Sequence, residues 1–272
     1  MTPHQIAGSY PPDLYKGTAE YYERFRPPYP PILFDDLRKR VPINGVQRLL
    51  DLACGTGQIA FSLASEFIEV VAIDQEAEFI DLAKHKAAGL GMNNIGFMVA
   101  SAEHVDLHAQ FDLVTIGNAF HRLDRNLVAQ RLTVTLQHGG CVALLWGDTP
   151  WQGQQPWQQD VAETLNRWQH RLESTERVPE GWKRSVDRYP HAEVLRGAGF
   201  TYEGRFEFAV SQQWSIESLI GFIYSTSFLN RTVLQQYAEE FENDLQERLL
   251  GFGEYDSFRQ DAIFAYELAR ME

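Results

Sequence analysis

Cysteine is scarce: Cys54 and Cys141 are the only two in 272 residues. That is too few for a secreted disulfide framework, and both lie in apolar, strand-like surroundings where a reduced thiol behaves as a small hydrophobe. A cytoplasmic setting is expected. No run of 18 apolar residues occurs, and Met1-Thr2-Pro3-His4-Gln5 lacks the basic start and apolar stretch of a signal peptide, so neither a membrane span nor processing is expected. Positive charge is short as well. With 24 Lys and Arg against 37 Asp and Glu the net charge is −13, which repels nucleic acid and anionic membrane unless a local basic patch intervenes. No such patch stands in the sequence. What is abundant is ordinary apolar material, 44% of residues, ample for one large domain whose core is stable through burial alone.

Seven of the 12 prolines fall in the first 31 residues, predicting a rigid extended segment there, preceded by a helix around 17–25. From Gln47 to about Gly147 strand-length apolar runs alternate with helical periodicity, the pattern of a parallel α/β sheet. The runs are 48–52, 69–73, 95–99, 111–116 and 141–146, with amphipathic helices over 76–88 and 124–137 between them. Five of the six Trp then cluster between Trp146 and Trp182, and regular alternation stops. A short helix at 191–197, an antiparallel strand over 202–214, helices over 215–228 and 232–250, and a closing strand from Phe258 to Leu268 are expected beyond it. In the 232–250 helix Leu234, Tyr237, Phe241, Leu245 and Leu249 form a stripe opposite an acidic, solvated face.

The sharpest feature is the strand Leu49-Leu50-Asp51-Leu52 running through Ala53-Cys54-Gly55-Thr56-Gly57 into a helix. Gly55 and Gly57 let the backbone turn tightly and approach a ligand without a Cβ in the way. Asp74, nineteen residues beyond Gly55, closes the neighbouring strand, where its carboxylate can accept both hydroxyls of a ribose. This glycine spacing also fits a dinucleotide fingerprint. Asp51 argues against that, because a carboxylate on the strand before the loop repels a pyrophosphate and attracts a cationic sulfonium. The short-chain dehydrogenase alternative further needs Tyr-x-x-x-Lys, and no Tyr here has Lys four residues later.

Residues 51–57 resemble motif I of the class I S-adenosylmethionine-dependent methyltransferases, Asp/Glu-x-Gly-x-Gly-x-Gly, departing from it at Ala53. The resemblance extends in register. Asp74 and Gln75 match the ribose-binding end of the second strand, Ser101-Ala102-Glu103 the loop framing the adenine, and Asn118-Ala119-Phe120-His121 the loop facing the transferred methyl. Leu136-Gln137-His138-Gly139-Gly140 is similar to the family's turn before the fifth strand. Tyr21-Tyr22-Glu23-Arg24-Phe25-Arg26-Pro27-Pro28 resembles a segment of small-molecule members, implying Tyr22 and Arg26 over the methionine end of the cofactor, with Arg26 a fork for its carboxylate. The implied fold is Rossmann-like, a mixed seven-stranded sheet, mostly parallel with its last strand antiparallel, with helices on both faces and a helical lid. It implies one methyltransferase domain over 1–272, with 1–31 as an N-terminal lid segment, 47–147 as the cofactor core, and 148–190 and 215–256 as substrate-side helical inserts.

Methyl transfer from a sulfonium is an in-line displacement, so alignment and exclusion of water do most of the work. A base is needed only for an un-ionised hydroxyl, and His121, expected to titrate near neutrality, is best placed for it. No His/Asp/Glu spacing resembles a metal site. Substrate recognition falls to the inserts, where Trp151, Tyr224 and Phe228, with Tyr21 and the strand-end Trp146, are candidate contacts. The expected function is S-adenosylmethionine-dependent methylation of a small organic molecule, on oxygen rather than carbon or nitrogen, by a monomer or homodimer without nucleic-acid or membrane partners. Methylation of a small molecule on carbon or nitrogen, an NAD-dependent oxidoreductase and a non-catalytic interaction protein that keeps the fold are the alternatives.

Overall fold

In the computed structural model of the protein, residues 14–104, 110–177, 186–187, 189–252 and 257–272 are described; Trp182 and parts of the two inserts and the N-terminal segment lie outside them. The helices are α1 (Ala19–Phe25), α2 (Pro31–Arg40), α3 (Gln58–Leu63), α4 (Ala77–Gly89), α5 (Arg125–Thr135), α6 (Pro156–Arg171), α7 (His191–Gly197), α8 (Ile216–Tyr224), α9 (Arg231–Leu234) and α10 (Ala238–Leu249). The strands are β1 (Arg48–Leu52), β2 (Glu69–Asp74), β3 (Ile95–Val99), β4 (Phe111–Gly117), β5 (Leu136–Gly147), β6 (Phe200–Ser215) and β7 (Ser257–Met271).

These seven strands pair in the order β3-β2-β1-β4-β5-β7-β6. The first five are parallel, and β7 runs antiparallel to both β5 and β6. Strand alternation sends successive side chains to opposite faces, so two cores form. Leu49, Leu113, Cys141, Ala143 and Leu145 meet α2 and α3 on one face. Leu50, Val114, Val142 and Leu144 meet α5 and α7 on the other. A third core, rich in aromatics, lies in a helical cap of α6, α8, α9 and α10.

Several expectations move. The rigid Pro-rich segment runs straight into α2, because Pro31 occupies its first turn, where the missing N–H costs nothing. Strand β5 begins at Leu136, which pairs with Phe111 rather than ending a helix. The 232–250 helix is broken, since Gln235 adopts a φ of 47°, dividing α9 from α10. Its stripe holds all the same: Leu234, Phe241, Leu245 and Leu249 are buried.

Candidate functional site

The carboxyl ends of β1, β2 and β4 share one edge, and the glycine loop leaves β1 there. Gly55 has φ 56° and Gly57 φ 86°, and even Ala53 is left-handed at 52°, so the loop coils tightly before α3. A Cβ on Gly55 would lie 3.3 Å from the Tyr22 ring; the close approach of α1 to the loop depends on its absence. Asp74, buried at the end of β2, accepts the Gly55 N–H at 2.8 Å and the Glu76 N–H at 2.9 Å. Burial raises its pKa. Gln75 beside it is exposed. The Thr56 hydroxyl is buried in the loop and has no hydrogen-bond partner among the described residues.

Asp51 does not face the loop's open side. It is fully buried, accepting the Thr115 hydroxyl at 2.7 Å and the Ala60 N–H at 3.1 Å. The carboxylate thus ties β1 to β4 and to the first turns of α3. Burial pushes its pKa up to about 7, so its negative charge is partial at neutrality and weaker than the sequence argument assumed.

On the next loop Ser101 Oγ donates to Glu103 at 2.6 Å, and Glu103 accepts the Asp124 N–H at 3.2 Å, joining the loops after β3 and β4. Ala102 is buried between them. After β4, Asn118 takes φ 52° and its N–H donates to Leu145 O at 2.7 Å, turning the chain into a 3-10 turn at Phe120–Arg122 capped by Ala119. Phe120 is buried edge-on to His191. His121 corrects an expectation: burial and the neighbouring Arg122 pull its pKa down to about 3, so its imidazole is neutral across physiological pH and a weak base.

From α1, Tyr22 lies against Gly55 and Phe79, its pKa raised by burial. The Arg26 guanidinium is held between the Tyr22 ring at 4.7 Å and Phe222 at 4.5 Å. Its Nε donates to Ser225 Oγ at 2.8 Å. Two further arginines reach the same buried Ser225-Thr226-Ser227 run: Arg122 to Ser227 Oγ at 3.4 Å and Arg177 to Ser227 O at 2.7 Å. These cap contacts were missed in the sequence, where the only signal was a polar run interrupting an apolar helix.

Four of the five aromatic substrate candidates share one cluster, and Trp146 lies apart from it. Tyr224 and Phe228 belong to the cap's own core and Tyr21 and Trp151 pack against it, half-buried: Tyr21 meets Tyr224 edge-on at 5.2 Å and Trp151 stacks on Phe222. Trp146 lies on the α5 face of the sheet with Arg205 over its ring, because strand alternation turns it away from the cap. A polar cavity of about 360 Å³ opens instead beside the ends of β5 and β7, lined by Asp148, Gln152, Gln155, Gln158, Gln260 and Asp261. No metal-holding cluster occurs among the described residues, and none of their helices is long and apolar enough to cross a membrane.

The loop passes a direct test for an adenosyl group: a turn with no Cβ at its closest approach, an orphaned Thr56 hydroxyl, and a carboxylate at the end of the adjacent strand. Comparison with known proteins agrees with this. Residues 49–140 match the methyltransferase-domain family. The chain is 27% identical over 228 residues to an uncharacterized methyltransferase of Schizosaccharomyces pombe, covering 83% of both chains. It is 29% identical over 126 residues to one of Mycobacterium bovis, 46% of this chain and 48% of that one. The fold is similar to that of the YcgJ protein of Bacillus subtilis, with a TM-score of 0.54 at 16% identity over 88% of this chain and 98% of the other. With strand order, glycine loop and relatives in agreement, residues 49–140 are a methyltransferase domain on a class I methyltransferase fold, whose methyl donor is S-adenosylmethionine.

Proposed function

We propose that this enzyme methylates an oxygen of a small organic molecule enclosed between the glycine loop and the helical cap. The observation that carries this reading is the fastening of the cap onto the loops. Residues 221–230 are buried throughout, and Arg26 and Arg122 bind this stretch to α1 and to the turn after β4. A cap fastened over the loops in this way suits a small acceptor and keeps bulk water from the reacting atoms. The net charge of −13 opposes a polyanionic one.

In this reading Asp74 and Gln75 would hold the ribose, Ser101, Ala102 and Glu103 the adenine, and Gly55, Thr56 and Gly57 the chain between them. Tyr22 and Arg26 would cover the methionine end, and Asn118, Ala119 and Phe120 would face the methyl. Bound S-adenosylmethionine would supply a sulfonium methyl to an acceptor oxygen aligned by these residues, leaving as S-adenosylhomocysteine, with the hydroxyl proton released to solvent. His121, neutral and weakly basic, serves as a hydrogen-bond acceptor that orients a hydroxyl already acidic enough to ionise. Residues 1–31 and the inserts 148–190 and 215–256 act as the lid of a single domain. The reduced, buried Cys54 and Cys141 suit a reducing cytosol.

Calorimetric titration with S-adenosylhomocysteine and with NAD⁺, followed by transfer of labelled methyl to hydroxylated small molecules, tests this. Binding of the first alone and label on oxygen are expected. Label confined to nitrogen, to carbon or to nucleic acid would overturn the reading. For His121, kcat/KM should carry no limb near pH 6.5; a limb there that vanishes in His121→Gln would restore it as a general base.

A further inference from the structure

We infer that the methyl acceptor carries a carboxylate and that Arg122 recognises it. The inference rests on the proposed reading of the site as small-molecule methyl transfer. Most arginines in this acidic chain end on acids: Arg38 on Glu66, Arg48 on Glu69, Arg171 on Glu240, Arg270 on Glu203. Arg26 and Arg122 do not. Both are half-buried, and among the described residues neither has a carboxylate within ion-pair distance. Arg26 ends on the hydroxyl and carbonyl of Ser225, and Arg122 on the Ser227 hydroxyl at 3.4 and 3.5 Å, with the Tyr15 ring beneath it. Contacts that long are weak for a guanidinium, whose fork matches a carboxylate at shorter range.

Position gives these cations a use. They grip the same short buried run from two sides, Arg26 from α1 and Arg122 from the turn that carries His121. Tyr22, which lies on Gly55, feels both charges, and His121 feels Arg122. Desolvating a cation without an anionic partner is costly, so two such groups over a ligand loop call for two anions. The cofactor brings one, its methionine carboxylate, within the reach of Arg26. Its sulfonium and ammonium are cations and give Arg122 nothing to bind. The second anion therefore belongs to the acceptor, and Arg122 is a specificity-determining residue that would turn the acceptor's other end toward the methyl.

The test uses the wild-type chain and matched probes. After a titration with S-adenosylhomocysteine, labelled-methyl uptake is measured on small aromatic and aliphatic hydroxy acids, on their primary amides and on phosphate monoesters. Failure to bind S-adenosylhomocysteine would sink the proposed function itself and is read separately. Uptake by acids with kcat/KM at least about 30-fold above their amides is expected, with that ratio lost in Arg122→Gln and partly kept in Arg122→Lys. S-adenosylhomocysteine affinity should change little in both variants, which also shows that they fold. Amides as good as acids, uptake by no acid, or uptake confined to phosphate monoesters would overturn the inference. So would an Arg122→Gln variant that loses S-adenosylhomocysteine as strongly as it loses the acceptor, since Arg122 would then be a second clamp on the cofactor.

Discussion

The sheet and the cap bury their interiors with different materials. The faces of β1, β4 and β5 are packed mainly with Leu, Val, Ile and Ala, whereas the cap core gathers Trp157, Trp168, Trp214, Phe222, Phe241 and Phe258. Aliphatic strands fix the loops that leave their ends to within the repeat of a sheet. Large rings instead fill an irregular space between short helices and need polar handles satisfied, as when Trp168 Nε1 donates to Asp244 at 2.6 Å and Trp214 Nε1 to Gln260 at 2.8 Å. In the proposed reading, the cofactor contacts sit on loops that the regular layer holds in place, and the acceptor lies between them and a cap that can be repacked.

That division can be broken most forcefully at Phe241, wholly buried and edge-on to Trp168 at 5.6 Å. Phe241→Ala should destabilise the cap by ~3–5 kcal/mol, seen as faster amide exchange in α6, α8 and α10 while β1 and β4 remain protected. Equal loss of protection in the sheet would make the two layers one cooperative unit.

In the sheet layer, Asp51 gives a pH signature. Its pKa is about 7 in the folded chain against an ordinary 3.8, so the folded state binds more protons between those values and stability from this group falls as pH rises from about 4 to 7. Asp51→Asn removes that slope, at most ~1.4 kcal/mol per pH unit, whatever constant offset the amide introduces at the Ala60 N–H. Denaturant unfolding of both proteins from pH 5 to 8 checks it, and parallel pH curves would refute it.

The cofactor side is sharpened by Asp74→Ala, which should weaken S-adenosylhomocysteine binding by ~1–3 kcal/mol in calorimetry; unchanged affinity would remove Asp74 from the site. The smallest effect belongs to an ion pair across the two layers, Arg24 with Glu217, whose side chains are both 70% exposed. Arg24→Ala should cost less than about 1 kcal/mol in thermal unfolding. A larger loss would mean that α1 is pinned to the cap by charge rather than by Phe25, whose ring packs 2.3 Å from where a Cβ on Gly221 would stand.

The sheet was legible because its signal is local. Strands 48–52 and 95–99 and helix 191–197 lie where periodicity puts them, and four motifs in order located the loops at the strand ends. The cap was legible only in outline. Trp157, Val161, Leu165 and Trp168 are spaced for one face of α6, yet the surrounding Gln and Pro hid that stripe. At the site, Asp51 was read as facing a ligand because a strand residue's inward or outward turn depends on the sheet register, set here by Thr115 across β4. Arg26, Arg122 and Arg177 are far apart in sequence, so the positive rim they form has no trace in the composition.

Strand β7 is sequence-last yet sits between β5 and β6, and that ordering bears on how the protein is made. While the ribosome is still producing the cap helices, the 16-residue β6 has no neighbour to pair with, and the outer edge of β5 is bare. Completing the sheet must wait for β7, which joins both edges at once. Until then a nascent chain exposes two unpaired edges, an opening for misassembly that a chaperone would be expected to cover.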